Sequence, residues 1–65
     1  GLSVYRHILV LAVQYLKPGG RLYLEVGDGL KDSLEDLIQS SSTLRLVEFR
    51  KDYRSIDRMC LAMKR

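Results

Sequence analysis

The chain lacks most of the side chains from which chemistry is usually read. It has one cysteine, Cys60, in 65 residues. A lone thiol closes no internal disulfide, so nothing points to secretion. Its place in an apolar run marks it as a buried hydrophobic residue. One cysteine and one histidine cannot build a zinc site, and no metal-ligand set is expected. His7 falls on the polar face of a helix and reads as solvated. No spacing suggests a Ser-His-Asp arrangement, so no catalytic residue is expected in the chain. The longest apolar run, Ile8 to Val13, is far below the ~20 residues that cross a bilayer. There are no internal repeats and no low-complexity segment beyond Ser40-Ser41-Ser42. No signal peptide is visible, and the chain opens on Gly1 rather than Met. That start suggests a fragment, expected to be intracellular, in cytoplasm or mitochondrion.

What is present is the make-up of a small folded unit. At 46% hydrophobic and 29% charged the chain is neither disordered nor membrane-spanning. Its length allows one domain at most, or part of one, and such a chain buries only roughly 60% of its unfolded surface. Net charge is +3. Arg45, Arg50, Lys51, Arg54, Arg58, Lys64 and Arg65 supply much of it. Acids are interspersed and aromatic residues sparse, which argues against a nucleic-acid surface.

Leu2, Tyr5, Ile8, Leu9, Ala12, Tyr15 and Leu16 recur at helical spacing and predict an amphipathic helix over 2–16. Lys17-Pro18-Gly19-Gly20 stops it. Pro18 fixes φ at the second turn position, and Gly19 accepts the positive φ of a type II turn. Residues 21–27 alternate as a strand, with Leu22, Leu24 and Val26 on one face and Tyr23 and Glu25 on the other. A second helix is expected over 30–40, with Leu30, Leu34, Leu37 and Ile38 on one face, Asp28 as its N-cap and Asp32 near its positive end. The serines end it. Residues 44–50 read as a strand with charges scattered through it, 51–56 as a loop, and 57–63 as an almost wholly apolar last strand.

The fold class is therefore α/β: two helices and a three-stranded mixed sheet. The unit strand–helix–strand runs the first two strands the same way. The short loop makes the last strand antiparallel to the one before. Its continuous apolar run suits the centre of the sheet, and the charged strand suits an edge. Asp57-Arg58 is a candidate ion pair across the hairpin.

The stretch Gly27-Asp28-Gly29 between strand and helix has the composition of a cofactor loop. The third glycine of G-x-G-x-x-G would fall at Asp32 and is absent. Glu48, about the right distance on for a ribose ligand, sits inside a strand rather than at its end. The stretch reads better as a helix-entry turn. Asp28 and Gly29 remain weak candidates for cofactor binding, and Glu25 is the leading functional candidate, as a residue that binds or orients substrate. Glu25 lies near the carboxyl end of its strand, where open α/β sheets place ligands.

Helix followed by "YLKPGGRLYLEV" resembles the fifth-strand region of class I S-adenosylmethionine-dependent methyltransferases. "GLSVYRHI" resembles the "GLDFYRRI" of HemK-type glutamine methyltransferases, which modify peptide release factors. "LEVGDGLKDSLEDLI" is similar to their "LEIGxGQxEAVxxLL", and "RKDYRSIDRMCLAMKR" to their closing "RKDLAGRDRVVLAxR". The match runs from Gly1 to Arg65. Ser55 stands where the family usually has glycine, Ile56 where it often has arginine, and "SSSTLRL" lacks the usual Ala-Gly-Phe pattern.

The resemblance implies that residues 1–65 are one piece, the C-terminal part of a Rossmann-like methyltransferase domain. The family's first-strand glycine motif, second-strand acid and Asn-Pro-Pro-Tyr motif lie upstream. With a single proline the last cannot be in this chain. Implied for the parent protein are S-adenosylmethionine as cofactor, a peptide chain release factor as substrate, and Glu25 as a residue that orients the glutamine amide. The chain alone is expected to be inactive, not to bind the cofactor, to dock on the remainder of the domain and, isolated, to self-associate through the 21–27 edge or its flanking helices. The alternative is a small basic α/β module that binds an acidic partner or RNA.

Overall fold

The computed structural model describes residues 2–65. Its elements are α1 (Leu2–Tyr15), β1 (Arg21–Glu25), α2 (Lys31–Gln39), β2 (Leu44–Lys51) and β3 (Asp57–Lys64). The sheet order is β1-β3-β2. β3 is central and antiparallel to both neighbours, so β1 and β2 run the same way on either side of it. The expected order and the central last strand are both found.

Burial follows the periodicity. Tyr5, Leu9 and Ala12 of α1 and Leu34 and Ile38 of α2 point inward. They pack on Leu24 and Val26 at the β1 side, Leu44 of β2, and Cys60 and Ala62 of β3. Leu34, Ile38 and Cys60 are wholly inaccessible. Tyr15 departs from the predicted stripe: it is 79% exposed, because the chain leaves the helix there for the turn.

Gly19 has φ +82° and Gly20 N–H donates to the Lys17 carbonyl at 2.7 Å, as a type II turn requires. The turn is tied to β3 by Gly19 N–H to Lys64 O at 2.8 Å and Lys64 N–H to Gly20 O at 2.9 Å. The Lys64 ammonium also donates to the Val13 carbonyl at 2.6 Å. It thereby satisfies one of the carbonyls left free in the last turn of α1.

β1 ends at Glu25, two residues before the expected Gly27. Val26 still donates to Arg58 O at 2.9 Å, but the Gly27 N–H turns to a side chain. The N-cap of α2 is Leu30, with no side-chain cap. Asp28 is therefore not the cap. Leu30 N–H donates to Gly27 O at 3.0 Å and Gly29 takes φ +74°. Gly27 to Leu30 is thus a β-turn that holds Asp28 two residues before the cap position. At the other end of α2, Ser41 Oγ accepts from Thr43 and Leu44 N–H at 3.2 and 3.1 Å, so the serines do end the helix.

β2 bulges between Leu46 and Glu48 and again between Arg50 and Lys51. The helices cover only one face of the sheet. On the other, Leu61 is buried at 5% exposure while its surroundings Tyr23, Val47 and Met59 remain open.

Candidate functional site

Glu25, Asp28 and Gly29 lie together at and just beyond the carboxyl end of β1. Glu25 is exposed on the sheet face away from the helices, opposite Met59 of β3. Among the described residues, none donates a hydrogen bond to its carboxylate. Its backbone is the opposite of free. The Tyr5 hydroxyl donates to the Glu25 carbonyl at 2.8 Å and accepts from Gly27 N–H at 2.8 Å. Tyr5 is only 9% exposed. Its ring follows from the helical stripe of α1. Its hydroxyl, buried with the ring, needed a partner, and that need was the signal in the sequence that a polar contact would form here.

Around Gly27-Asp28-Gly29 two of the backbone N–H groups are already bonded within the protein. The Gly27 N–H is taken by Tyr5 and the Leu30 N–H by Gly27 O. A Cβ on Gly27 would meet Leu30 Cδ1 at 3.0 Å, whereas one on Gly29 would meet nothing within 4 Å. Glu48, the ribose-acid candidate, lies on β2 beyond the central strand and holds Arg50 at 2.7 Å.

Asp57 and Arg58 do not pair with each other. Successive residues of a strand point to opposite faces, and each finds other partners. The Arg58 guanidinium donates to Asp28 at 2.9 Å and to Asp52 at 3.2 Å. Asp57 sits 3.3 Å from Lys31 and 3.5 Å from Lys51. Two ion-pair sets therefore latch the β1–α2 loop to the β2–β3 hairpin. Hydrogen bonds to Asp52 and then Asp28 hold Arg58 above its ordinary pKa.

Asp52 organises the hairpin turn. One carboxylate oxygen accepts from Arg54 N–H at 2.8 Å and Ile56 N–H at 3.1 Å. Desolvation pushes its pKa upward, but the bonds from Ile56, Arg54 and Arg58 together outweigh it and leave the value lowered. Within this turn Ser55 has φ +62°. That left-handed conformation is one glycine adopts without strain.

His7 lies exposed on α1. Cys60 is buried at the centre of β3, and desolvation pushes its thiol pKa up to about 11. Among the described residues no three His, Cys, Asp or Glu side chains form a metal-binding group. No described helix is long and apolar enough to cross a membrane. An open apolar groove of about 350 Å³ runs between α1 and α2, lined by Leu9, Val10, Val13, Leu37 and Leu44 among others. None of its lining residues is charged.

No family model matches the chain, and no solved structure matches it significantly. Curated proteins do. A release factor glutamine methyltransferase of Moorella thermoacetica is 37% identical over 65 residues, which is 100% of this chain and 23% of the relative. One of Clostridium acetobutylicum is 31% identical over 64 residues, 98% of this chain and 22% of the relative. One of Lactococcus lactis is 34% identical over 59 residues, 91% of this chain and 22% of the relative. The chain thus spans less than a quarter of the length of the relatives it matches. The resemblance read from its motifs is borne out: the chain is related, end to end, to a segment of the release factor glutamine methyltransferases.

Proposed function

We propose that the chain is the C-terminal part of a methyltransferase domain that transfers a methyl group from S-adenosylmethionine to a glutamine side-chain amide of a peptide chain release factor. The similarity to the Moorella relative over the whole chain carries this reading. The strand order, with the last strand central, agrees with it. The parent protein acts inside the cell, in cytoplasm or mitochondrion.

The chain's own share of the reaction is support and orientation. An amide nitrogen is a poor nucleophile, so its transfer depends on how it is held against the methyl donor. Glu25, exposed at the carboxyl end of β1, orients the glutamine amide. Binding of the cofactor belongs to the remainder of the domain, and the isolated chain is inactive.

A hybrid tests the reading. This chain replaces the matched segment of the Moorella thermoacetica protein, and methylation of a release factor is measured. Activity near that of the unaltered protein is the expected result. A folded hybrid that binds S-adenosylmethionine but transfers no methyl group overturns it. Calorimetric titration of the 65-residue chain with S-adenosylmethionine should show no binding; stoichiometric micromolar binding would reinstate Gly27-Asp28-Gly29 as a cofactor loop.

A further inference from the structure

We propose that Tyr5 is a positioning residue: its hydroxyl closes the outer edge of β1 at Glu25 and fixes the backbone from which the Glu25 carboxylate is presented. The inference rests on the methyltransferase reading of Glu25 above.

The geometry begins with the ladder. Val26 N–H bonds to Arg58 O, and Lys64 N–H to Gly20 O. Opposed residues of an antiparallel pair alternate between bonded and non-bonded. With the register Arg21↔Met63 through Glu25↔Met59, residues 20, 22, 24 and 26 bond to β3. Residues 21, 23, 25 and 27 point their N–H and C=O the other way, to the open edge. At Arg21 and Tyr23 those groups are available to a further strand. At Glu25 the carbonyl is taken, and at Gly27 the N–H is taken, both by one hydroxyl at 2.8 Å.

A strand added to this edge therefore cannot continue its ladder past Glu25. It must leave the sheet there. Divergence of neighbouring strands at their carboxyl ends is what opens a ligand crevice in an α/β sheet. Tyr5 sets where that crevice starts. It also joins α1 to the loop across 20 and 22 residues of sequence, so the helix holds the Glu25 peptide in one place. The hydroxyl touches no substrate in this scheme and acts only through Glu25.

The test uses the hybrid enzyme described above, with Tyr5→Phe, Glu25→Gln and both together. Phenylalanine keeps the ring in the core and removes only the two hydrogen bonds. Tyr5→Phe should lower kcat roughly tenfold, the equivalent of one hydrogen bond of about 1.4 kcal/mol. KM for S-adenosylmethionine should stay within about twofold. In the Glu25→Gln background the same change should have almost no further effect, because a residue acting through Glu25 has nothing left to position. Unchanged turnover in Tyr5→Phe, or a loss that adds in full to that of Glu25→Gln, overturns the proposal.

Amide exchange separates this from failure of the methyltransferase reading. If the unsubstituted hybrid is inactive, that reading fails. Exchange at Gly27 in the 65-residue chain still decides the positioning. Faster exchange in Tyr5→Phe, with the β3 amides unaltered, supports it. Equal exchange overturns it.

Discussion

β2, on one edge of the sheet, is 8 residues long, and β1, on the other, is 5. β2 bulges in two places and places Arg45, Glu48, Arg50 and Lys51 along its length. Bulges and charges are what keep an edge from pairing with another chain. β1 has neither bulge nor charge between Arg21 and Glu25. Its outward backbone groups at Arg21 and Tyr23 are unguarded, and only its last rung is closed, by Tyr5. From this difference we infer that β2 is a margin of the full sheet and that β1 has a neighbour. Within the proposed methyltransferase domain that neighbour is another strand of the same sheet. For the isolated chain we expect a second copy to take its place, in a two-fold dimer through β1.

Proline substitutions give the largest effects and test the comparison most directly. At Leu24 a proline loses a bond to β3 and a side chain that is 7% exposed. Loss of such a side chain alone costs about 2–5 kcal/mol, enough to unfold so small a unit. Circular dichroism should show Leu24→Pro unfolded. At Tyr23 the lost N–H faces outward. Tyr23→Pro should keep the fold and abolish the dimer, as proline is tolerated where the N–H of an edge strand faces solvent. Sedimentation equilibrium decides it: wild-type chain that is monomeric at high micromolar concentration removes the predicted neighbour from β1.

Much of this was legible beforehand, for identifiable reasons. Helical spacing of Leu9, Ala12, Leu34 and Ile38 and alternation through β1 are local patterns, and burial obeyed them. Pro18-Gly19 specified its turn through φ alone. The centrality of β3 followed from Cys60, Leu61 and Ala62 being apolar on consecutive positions, and all three are buried. What escaped was set by topology. Arg58 meets Asp28 across 30 residues because β3 lies beside β1, and no local pattern reveals which acid a strand arginine will face. The contact of the Gly27 N–H with a hydroxyl from α1 has the same origin, since it joins residues 22 apart in sequence. Ser55 was visible only as a departure from a family glycine, and its φ of +62° supplies the reason that glycine suits the position.

β3 lies between the two edges, and its core carries a pH limit. The Cys60 thiol is raised from 9.0 to about 11 by desolvation. A raised value means that the folded state favours the neutral thiol. Stability from this source is full below pH 9 and falls as pH rises toward about 11. Urea midpoints across that window should decline for the wild type. Cys60→Ala should be less stable throughout, through the cavity it leaves, but should lack this part of the decline.

The β2–β3 turn offers a smaller gain. Ser55 holds a left-handed conformation that is unfavourable by roughly 1–2 kcal/mol for a residue with a Cβ. Glycine removes the strain but adds freedom to the unfolded chain. Ser55→Gly should therefore stabilise the protein by about 1 kcal/mol. A lower melting temperature would show that the strain is relieved elsewhere. Because the turn lies at the end of β2, oligomeric state should not change.

The smallest effects come from the two acids that share Arg58, and they should differ from each other. Asp52 accepts two backbone N–H groups as well as the guanidinium, and its pKa is lowered. Its contribution is present above the ordinary carboxylate range and is lost as pH falls through the depressed value. Asp52→Asn should flatten the acid limb of the stability profile below about pH 4. Asp28 has a side chain 90% exposed and, among the described residues, meets only Arg58. Exposed pairs of this kind contribute little and are screened by salt. Asp28→Ala should leave the melting temperature within experimental error at pH 7, in low and high salt alike. A clear loss in low salt alone would show that the Arg58 latch holds the β1–α2 loop down. The carboxyl end of β1 would then depend on the hairpin beside β2, and the two edges of the sheet would not be independent.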